Sequence, residues 1–431
     1  MNNLEIAARD LNVLWHPCTQ MKDHETIPLI PVSKGEGVYL EDFEGNRIID
    51  AISSWWVNLF GHCNPYINRK IKEQLESLEH VILAGFTHEG IVRLSERLVA
   101  LSPDGLTRCF YADNGSSAIE VALKMSYHSH KNRGEERGLF VSLTDSYHGE
   151  TLGALSVGDV ALYKETYEPL LIRSIQTLSP RDQSVKAALE AAKSFEKLLQ
   201  ERGKEIAALI VEPLVQGAGG MKMYHPAFLS ETKRLCEEYG IHFIADEILV
   251  GFGRTGSMFA CEQAQITPDF LVLSKGLTGG YLPLSVVLTT ESVYGSFYCD
   301  YNPVRSFLHS HSYTGNALAC AAANATLDIF ESENVIENNR KTIAAMAEEL
   351  KRFQSLPKVK EVRQCGMIAA IELEEFEPHE RIGLKIHRLC IKQGVLIRPL
   401  GSVIYVMTPY VITLDELKKV FDAIESALGN I

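Results

Sequence analysis

The sequence predicts an α/β protein with a large domain on a mostly parallel sheet and a smaller α+β domain. Between residues 90 and 290, short apolar runs alternate with longer helical segments, which is the pattern of a parallel α/β sheet. Before residue 60 the runs are short, alternate between apolar and polar residues and are separated by turn residues. That pattern indicates a small antiparallel element.

The individual elements follow from these patterns. Strands are predicted at residues 108–112, 139–143, 207–211, 242–245, 270–273 and 286–289. Helices are predicted at 117–130, 184–202, 227–239, from about 316 onward, and at 337–354, 380–393 and 414–428. We therefore expect residues 61–330 to form the large cofactor-binding domain. Residues 1–60 and 331–431 are expected to be the two parts of one smaller domain.

Composition narrows the class of protein. The chain has 431 residues, of which 46% are hydrophobic and 23% charged, as in ordinary globular enzymes. Its formal net charge of −13 argues against a nucleic-acid partner. Nine scattered cysteines without a C-x-x-C pair argue against disulfides and zinc, so we expect no metal site and a cytoplasmic location. No signal peptide or membrane span is expected.

The segment DNGSSAIE, residues 113–120, connects a predicted strand to a predicted helix. A helix N-terminus at the carboxyl end of a strand offers free backbone N–H groups to an anion. Gly115 permits close approach of the backbone, and Ser116 adds a hydroxyl group. Ser117 and Glu120 have the spacing of a capping box, so an ordinary helix cap is the alternative interpretation.

Two further segments place ionisable residues at the ends of apolar strands. In IHFIADEI (241–248), Asp246 and Glu247 follow the apolar run. In FLVLSKGLTGG (270–280), Lys275 lies just after the apolar run. A lysine there is costly unless it is paired or used chemically, and lysine forms Schiff bases with pyridoxal 5′-phosphate (PLP). A PLP site also needs an acidic partner for the pyridine nitrogen. Together the two segments predict a PLP site, although either alone could be an ordinary strand end.

The pair IADEILVGFGRTG (244–256) and LSKGLTGG (273–280) resembles the cofactor-attachment signature of the class III, or ω-, aminotransferases of PLP fold type I. The segments VEPLVQGAGGM (211–221), SYHGET (146–151) and HSYTGNALACA (311–321) are similar to other parts of that family. The resemblance runs over essentially the whole chain. It implies an aminotransferase that works as a homodimer.

The resemblance also implies residue roles. Lys275 would hold PLP as a Schiff base and act as general base, Asp246 would pair with the pyridine nitrogen, and Tyr147 would cover the ring. His311 and Ser312 would reach the phosphate of the neighbouring subunit. The implied cofactor-binding residues are Gly115, Ser116, Tyr147, Glu212, Asp246, Lys275, His311 and Ser312.

Other segments resemble one branch of the family, which transfers an amino group from S-adenosylmethionine to 8-amino-7-oxononanoate in biotin biosynthesis. They are LWHPCTQM (14–21), SSWWVNLFGH (53–62), TGGYLPLS (278–285) and IRPLGSVIY (397–405). The implied substrate-binding residues are Cys18, Trp55, Trp56, Tyr147, Lys275, Ser310 and Arg398. Three positions depart from common family patterns: Ser312 stands where many members have threonine, Cys18 replaces a tyrosine, and Ala218 replaces a glutamate that gates other ω-aminotransferases.

Several alternatives stay open at this point. The amino donor could be lysine, or the chain could be another class III ω-aminotransferase, an aminomutase on the same fold or a non-catalytic regulator. The segments WHPCTQM and SSWWVNLF lack acidic residues, which favours the weakly hydrated sulfonium of S-adenosylmethionine over the ammonium of lysine. Trp55 and Trp56 could be core residues, Arg398 could form a surface ion pair, and His148 could be structural.

Overall fold

In the computed structural model of the chain, residues 2–374 and 376–431 are described. The helices are α1 (Asn3–Leu11), α2 (Ser53–Trp56), α3 (Pro65–Leu75), α4 (Glu89–Leu101), α5 (Gly115–Asn132), α6 (Leu152–Ser156), α7 (Ala161–Lys164), α8 (Val185–Arg202), α9 (Ala227–Tyr239), α10 (Glu291–Gly295), α11 (Ala317–Glu333), α12 (Val335–Lys351), α13 (Ile382–Ile391) and α14 (Leu414–Leu428). The strands are β1 (Val32–Glu36), β2 (Tyr39–Asp42), β3 (Arg47–Asp50), β4 (Leu106–Ala112), β5 (Leu139–Leu143), β6 (Ser174–Thr177), β7 (Ile206–Val211), β8 (Val215–Gln216), β9 (Lys222–Met223), β10 (His242–Asp246), β11 (Phe270–Leu273), β12 (Ser285–Thr290), β13 (Val359–Cys365), β14 (Ile368–Leu373), β15 (Val395–Leu396) and β16 (Val403–Val406).

The large sheet has seven strands in the order β4-β12-β11-β10-β7-β5-β6. Neighbours from β11 to β6 run parallel, and β12 is antiparallel to both of its neighbours. The strands β5, β7, β10 and β11 are buried along their whole length, as expected for a sheet covered by helices on both faces. The predicted mostly parallel α/β sheet is therefore confirmed.

The predicted element bounds agree closely with the structure. β5, β11, α9 and α14 have the predicted limits, and the other predicted elements differ at their ends by a few residues. β6 was not predicted, because its sequence SIQT contains no apolar run. It lies at the edge of the sheet, and among the strands of the described residues only β5 pairs with it.

The N-terminal and C-terminal segments share a second, four-stranded sheet with the order β1-β2-β3-β15. In it Val395 and Leu396 run parallel to β3. An apolar cluster separate from that of the large sheet joins Val38 and Ile49 to Phe353 and Phe421. β13, β14 and β16 form a third sheet. The domain limits at residues 60 and 330 stay a prediction.

Within residues 2–374 and 376–431, no helix is both long and apolar enough to cross a bilayer. The same residues contain no group of three or more His, Cys, Asp or Glu side chains placed to hold a metal ion.

The turn between β13 and β14 packs against the glycine-rich turn at residues 251–256. Gly366 has a φ of +56°, and a Cβ atom there would lie 2.3 Å from the carbonyl carbon of Thr255 and 2.5 Å from the carbonyl oxygen of Arg254. The next N–H, that of Met367, donates to the same Arg254 oxygen at 2.8 Å. Only glycine satisfies both the φ angle and the contact.

We expect Gly366→Ala to lower the free energy of unfolding by about 2–5 kcal/mol, because strain at the φ angle and overpacking act together. Gly401→Ala is the matched control, since Gly401 has a φ of +59° but no atom within 4 Å of an added Cβ. The control should lose only about 1–2 kcal/mol. Urea unfolding of both variants measures the difference. Equal losses would contradict the packing argument.

Candidate active site

The carboxyl ends of β10 and β11 bring Asp246 and Lys275 into one cavity. The two strands are parallel, and Asp246 is in register with Val272, so the segments that follow the two strands leave the sheet at the same edge. The cavity has a volume of about 460 Å³. Its lining includes Gly115, Ser116, Tyr147, Glu212, Asp246 and Lys275. The structure thus brings together six of the predicted cofactor residues.

Lys275 has an unusual environment and an unusual backbone. Its φ is +41°, a left-handed value that costs free energy in a non-glycine residue. Desolvation lowers the pKa of its amine, and the charges of Asp246 and Glu212 oppose that shift. Its Nζ lies 5.2 Å from the centroid of the Trp56 ring. Desolvation therefore favours the neutral amine, which is the form that can act as a nucleophile or base.

His148 holds the carboxylate of Asp246. The distance from His148 Nδ1 to Asp246 Oδ2 is 2.7 Å, and the N–H of Ile248 donates to the other carboxylate oxygen at 3.1 Å. Both side chains are buried, and among the described residues His148 Nε2 has no hydrogen-bond partner. His148 is therefore a buried, hydrogen-bonded residue whose contact fixes the orientation of Asp246.

Glu212 anchors the segment that carries Tyr147. Its carboxylate accepts hydrogen bonds from the N–H groups of Tyr147 and Gly217, both at 2.9 Å. Burial raises the pKa of Glu212 to about 7; His148 opposes this rise, and Asp246 adds to it. These two backbone bonds hold the segment of Tyr147 so that its ring lines both this cavity and a larger cavity beside it.

The predicted anion site lies at the start of α5, but its cap differs from the prediction. The helix begins at Gly115, and the side chain of Asn114 accepts the N–H of Ser117 at 3.1 Å. The predicted capping box of Ser117 and Glu120 is wrong, because Asn114 takes the capping position. Glu120 instead accepts the N–H of Gly153 at 2.7 Å.

The geometry of the small cavity fits PLP. A helix N-terminus supplies N–H groups for a phosphate, the buried carboxylate of Asp246 suits a protonated pyridine nitrogen, and Lys275 supplies the amine for an aldehyde. A Cβ at Gly115 would lie 3.0 Å from Ile248 Cδ1, so glycine keeps this end of the cavity open. A volume of about 460 Å³ lies within the range of cofactor pockets.

A second, larger cavity of about 1290 Å³ adjoins the first. Both cavities are lined by Trp56, Tyr147 and Lys275. The larger one is also lined by Cys18, Trp55 and Arg398, which are the other predicted substrate residues apart from Ser310. We call it the substrate cavity from here on, because it opens onto the amine of Lys275.

Arg398 lies at the wall of the substrate cavity. Its Nη2 donates to the carbonyl oxygen of Cys18 at 2.8 Å, and its Cζ lies 5.0 Å from the centroid of the Trp55 ring. Among the ion pairs within residues 2–374 and 376–431, none involves Arg398. The structure thus places it against an aromatic ring and a carbonyl group rather than in the surface ion pair considered as an alternative.

Sequence reasoning missed the acidic and additional aromatic residues of this cavity. Glu150 accepts a hydrogen bond from the Tyr147 hydroxyl at 3.1 Å, and Tyr163 packs edge-on against the Tyr147 ring at 5.5 Å. Asp145 also lines the cavity, but it is paired with Lys222. The SYHGET motif contains Glu150, yet its direction depends on the turn after Tyr147, which periodicity does not reveal.

The two tryptophans sit on a left-handed helical turn. Ser53, Ser54, Trp55 and Trp56 have φ angles of +51°, +47°, +73° and +74°. The N–H of Val57 donates to the Ser53 carbonyl at 2.9 Å, which closes the turn. Left-handed helical backbone costs about 1–2 kcal/mol per residue for L-amino acids. Trp56 is buried, whereas Trp55 is 40% exposed.

The segment with Ser310, His311 and Ser312 lies outside both described cavities of its own chain. His311 Nδ1 is 3.7 Å from an oxygen of Asp113, and the carbonyl oxygen of Ser312 is 2.8 Å from His80 Nε2. Ser310 and Ser312 are exposed. Roles for these three residues at a neighbouring subunit's site stay predictions.

Comparison with known proteins agrees with this geometry. The sequence profile of the class III aminotransferases matches residues 20–428. The adenosylmethionine-8-amino-7-oxononanoate aminotransferase of Helicobacter pylori is 52% identical over 421 residues, which cover 96% of this chain and 95% of that protein. The protein of the same name from Geobacter sulfurreducens is 41% identical over 438 residues, which cover 98% and 97%.

Solved structures have the same fold. The adenosylmethionine-8-amino-7-oxononanoate aminotransferase of Methanocaldococcus jannaschii has a TM-score of 0.96 at 36% identity and covers 100% of this chain and 99% of its own. An amine transaminase from an uncultivated Pseudomonas species, solved with PLP bound, has a TM-score of 0.92 at 30% identity and covers 97% and 98%. The predicted PLP fold type I is confirmed, and the chain belongs to the class III aminotransferases, with pyridoxal phosphate as its cofactor.

Proposed function

We propose that the enzyme transfers an amino group from S-adenosylmethionine to 8-amino-7-oxononanoate, giving 7,8-diaminononanoate for biotin biosynthesis. One observation carries the proposal: the substrate cavity meets the cofactor cavity at Lys275 and has Arg398, without a carboxylate partner among the described residues, at its wall. The names of relatives that match the chain over nearly its full length support the same reaction.

The wall of the substrate cavity suits what the two substrates share. Both carry a carboxylate, and a planar guanidinium binds a carboxylate through two parallel hydrogen bonds. Arg398 uses Nη2 for the Cys18 carbonyl, so its remaining N–H groups are the ones available to a substrate. The Trp55 ring below the guanidinium restricts its orientation.

The rest of the cavity suits a large cationic donor. Its volume of about 1290 Å³ exceeds the usual range for small ligands, and Tyr163, Tyr167 and Tyr405 add aromatic surface for an adenosine group. Glu150 lines it and takes part in no ion pair of the described residues, so its charge is available to a sulfonium or an ammonium. The segments at 15–21 and 53–60 contain no acidic residue, but the cavity as a whole does, because Glu150 lines it. The preference for S-adenosylmethionine over lysine rests on cavity size, aromatic lining and the relatives.

The mechanism assigns each proton to a residue of this chain. PLP, when bound, supplies the aldehyde that receives the amino group and a ring that accepts electrons. We propose that the neutral amine of Lys275 takes the α-proton of the donor at Nζ. It would then deliver this proton to the carbon that was the aldehyde carbon of PLP, on the other side of the transferred nitrogen. Asp246 keeps the ring nitrogen protonated, and its contact with His148 holds the carboxylate in position. Tyr147 covers the cavity.

A ping-pong order follows from the single substrate cavity. The donor, once deaminated, leaves before the acceptor enters, so Arg398 and Lys275 serve both half-reactions. We further propose a homodimer in the cytoplasm, with His311 and Ser312 at the partner's phosphate site. Exposed apolar side chains near this segment, including Tyr301 at 95% and Leu308 at 80%, support a surface that a second copy covers.

The proposed reaction is tested by incubating the PLP-loaded enzyme with 8-amino-7-oxononanoate and a panel of amino donors. We expect 7,8-diaminononanoate, identified by mass, with S-adenosylmethionine as donor. Each donor is also added alone while the absorbance of the bound cofactor is followed. A change with lysine but not with S-adenosylmethionine would overturn the donor, and no diaminononanoate with any donor would overturn the acceptor.

Asp246→Asn should lower kcat by about 10²–10³-fold, because it removes the charge that stabilises the protonated ring nitrogen. Glu247→Gln is the control, since Glu247 is the adjacent buried carboxylate but bonds to the N–H groups of Ala260 and Cys261 instead of lining the cavity. Steady-state kinetics compare the two variants. Near-normal turnover of Asp246→Asn would refute the role of its carboxylate.

Arg398→Ala should lower kcat/KM for both substrates by about 10–100-fold, as expected from the loss of hydrogen bonds to a charged group. Arg181→Ala is a surface control that lines neither cavity. Single-turnover rates of each half-reaction separate donor from acceptor. A loss confined to one half-reaction would contradict a shared carboxylate site.

A further inference from the structure

We propose that Asp50 is a positioning residue that holds Ser53–Trp56 in the left-handed turn and thereby directs Trp55 and Trp56 into the substrate cavity. The inference rests on the proposed function only in treating this cavity as the place where substrates bind. The turn itself and the contacts that hold it are observations on the structure alone.

The turn cannot be stable through local preference. All four residues have positive φ angles, and none is a glycine. Side chains of L-residues collide with the following carbonyl oxygen in this conformation, so such residues occur there singly rather than in a run. A run of four persists only where surrounding contacts impose it.

Asp50 provides those contacts from a fully buried position at the end of β3. Its Oδ1 accepts the N–H groups of Ile52 at 3.3 Å and Ser54 at 3.0 Å. Its Oδ2 accepts the Ser54 hydroxyl at 2.7 Å and lies 3.0 Å from His62 Nε2. Burial would raise the pKa of Asp50, but the bonds from His62 and Ser54 outweigh it and the pKa lies below its ordinary value. The carboxylate is therefore ionised, and both of its oxygens accept hydrogen bonds.

Three more hydrogen bonds hold the ends of the turn and the residues after it to other parts of the fold. The Ser53 hydroxyl donates to the carbonyl oxygen of Met407 at 2.8 Å. The buried guanidinium of Arg254 donates to the carbonyl oxygens of Trp56 at 3.4 Å and Asn58 at 3.1 Å. These bonds fix where the turn lies, whereas Asp50 bonds to the N–H and hydroxyl of Ser54 inside it.

The turn determines where both indole rings point. Trp56 packs edge-on against Tyr405 at 5.9 Å and faces Lys275, whose Nζ is 5.2 Å from the centroid of the Trp56 ring. Trp55 lies under Arg398. A change of these residues to negative φ angles would redirect both Cβ atoms and separate the rings from the amine and the guanidinium. Asp50 thus acts on the substrate site through the backbone, without contacting either cavity.

Asp42 provides a matched control within the same sheet. It is also buried and also accepts four hydrogen bonds, from Glu44 N, Asn46 N, Asn46 Nδ2 and Asn3 Nδ2, at 2.8–2.9 Å. The turn that it holds lines neither cavity. Asp42→Asn and Asp50→Asn each remove a buried carboxylate that accepts hydrogen bonds, but only Asp50 contacts a histidine and supports the tryptophan pair.

The first test compares these two variants in a Trp15→Phe background. The chain has three tryptophans, so this background leaves only Trp55 and Trp56 to report. We expect Asp50→Asn to change their near-ultraviolet circular dichroism and to raise KM for both substrates about tenfold, with a smaller fall in kcat. Asp42→Asn should change neither. Equal effects of the two variants, or no spectral change in Asp50→Asn, would overturn the proposal.

The second test is a rescue at Ser54. Ser54→Gly and Ser54→Ala both remove the hydroxyl, but only glycine adopts the left-handed conformation without steric cost. In the Asp50→Asn background, glycine should restore the tryptophan signal and bring KM to within about threefold of the wild type, whereas alanine should not. Identical behaviour of the two double variants would overturn the proposal.

These outcomes separate this proposal from the proposed reaction. If the wild type fails to make diaminononanoate, the reaction is wrong, while the circular dichroism still decides the role of Asp50. If Asp50→Asn does not fold, the single variants decide: Ser54→Gly should unfold at a higher temperature than Ser54→Ala. The reverse order would show that the left-handed turn carries no steric cost and would overturn the inference.

Discussion

The desolvation of ionisable groups at one edge of the large sheet is the constraint on which the active site depends. Asp246 and Glu212 are buried beside Lys275, and burial favours the neutral forms of Glu212 and Lys275. Parallel strands β10 and β11 bring Asp246 and Lys275 to the same edge, so opposite charges oppose the desolvation of the lysine. The contact with His148 and the backbone N–H groups on Glu212 then satisfy the carboxylate oxygens. The position of Tyr147 follows from one of these bonds.

Besides the desolvation of charged groups, backbone strain also destabilises this site. The strained residues are among those that line the cavities. Cys18, Trp55, Trp56 and Lys275 all have positive φ angles between +41° and +74°. Strained residues of this kind are held by their surroundings, and they place side chains where relaxed backbone would not. Much of the support for the tryptophan turn comes from groups outside both cavities, Asp50 and Arg254 among them. Catalytic geometry here therefore depends on buried residues that contact no substrate.

The sequence predicted those features that depend on local pattern. Apolar runs located the strands of the large sheet except β6, and the ends of two runs identified Asp246 and Lys275. Family resemblance was needed to predict that Arg398 and Cys18 line the same cavity, because they lie far apart in the chain. In the structure the Arg398 side chain donates a hydrogen bond to the backbone carbonyl of Cys18. The left-handed turn was not predictable, since SSWW has no glycine to indicate positive φ angles.

A structural role for His148 was considered from the sequence, whereas Glu150 was not identified. The carboxylate of Glu150 is directed into the substrate cavity by a bond from the hydroxyl of Tyr147, and His148 points the other way to reach Asp246. His148 and Glu150, on either side of Gly149, thus serve the cofactor and the substrate from one turn, whose direction is set by the bond from Tyr147 N to Glu212. Sequence periodicity does not predict this arrangement, because it depends on Glu212, which follows β7 and is distant in the chain.

One cavity must accept two substrates whose reacting carbons lie at different distances from the carboxylate, next to it in S-adenosylmethionine and at C7 in 8-amino-7-oxononanoate. A shared arginine can bind the common carboxylate but cannot distinguish the two molecules, so discrimination falls to the remainder of the wall. That wall is built partly from the N-terminal segment, which is held by the bond from Arg398 to Cys18 and by the pair of Arg381 with Asp23. Glu150 and Asp159 line that wall, and neither has an ion-pair partner among the described residues. Each can attract a cation, whether the sulfonium of S-adenosylmethionine or the ammonium at C8 of 8-amino-7-oxononanoate. Electrostatic attraction thus acts on both substrates, and discrimination between donor and acceptor depends on how each molecule fits the guanidinium and the aromatic surfaces that the left-handed turn presents.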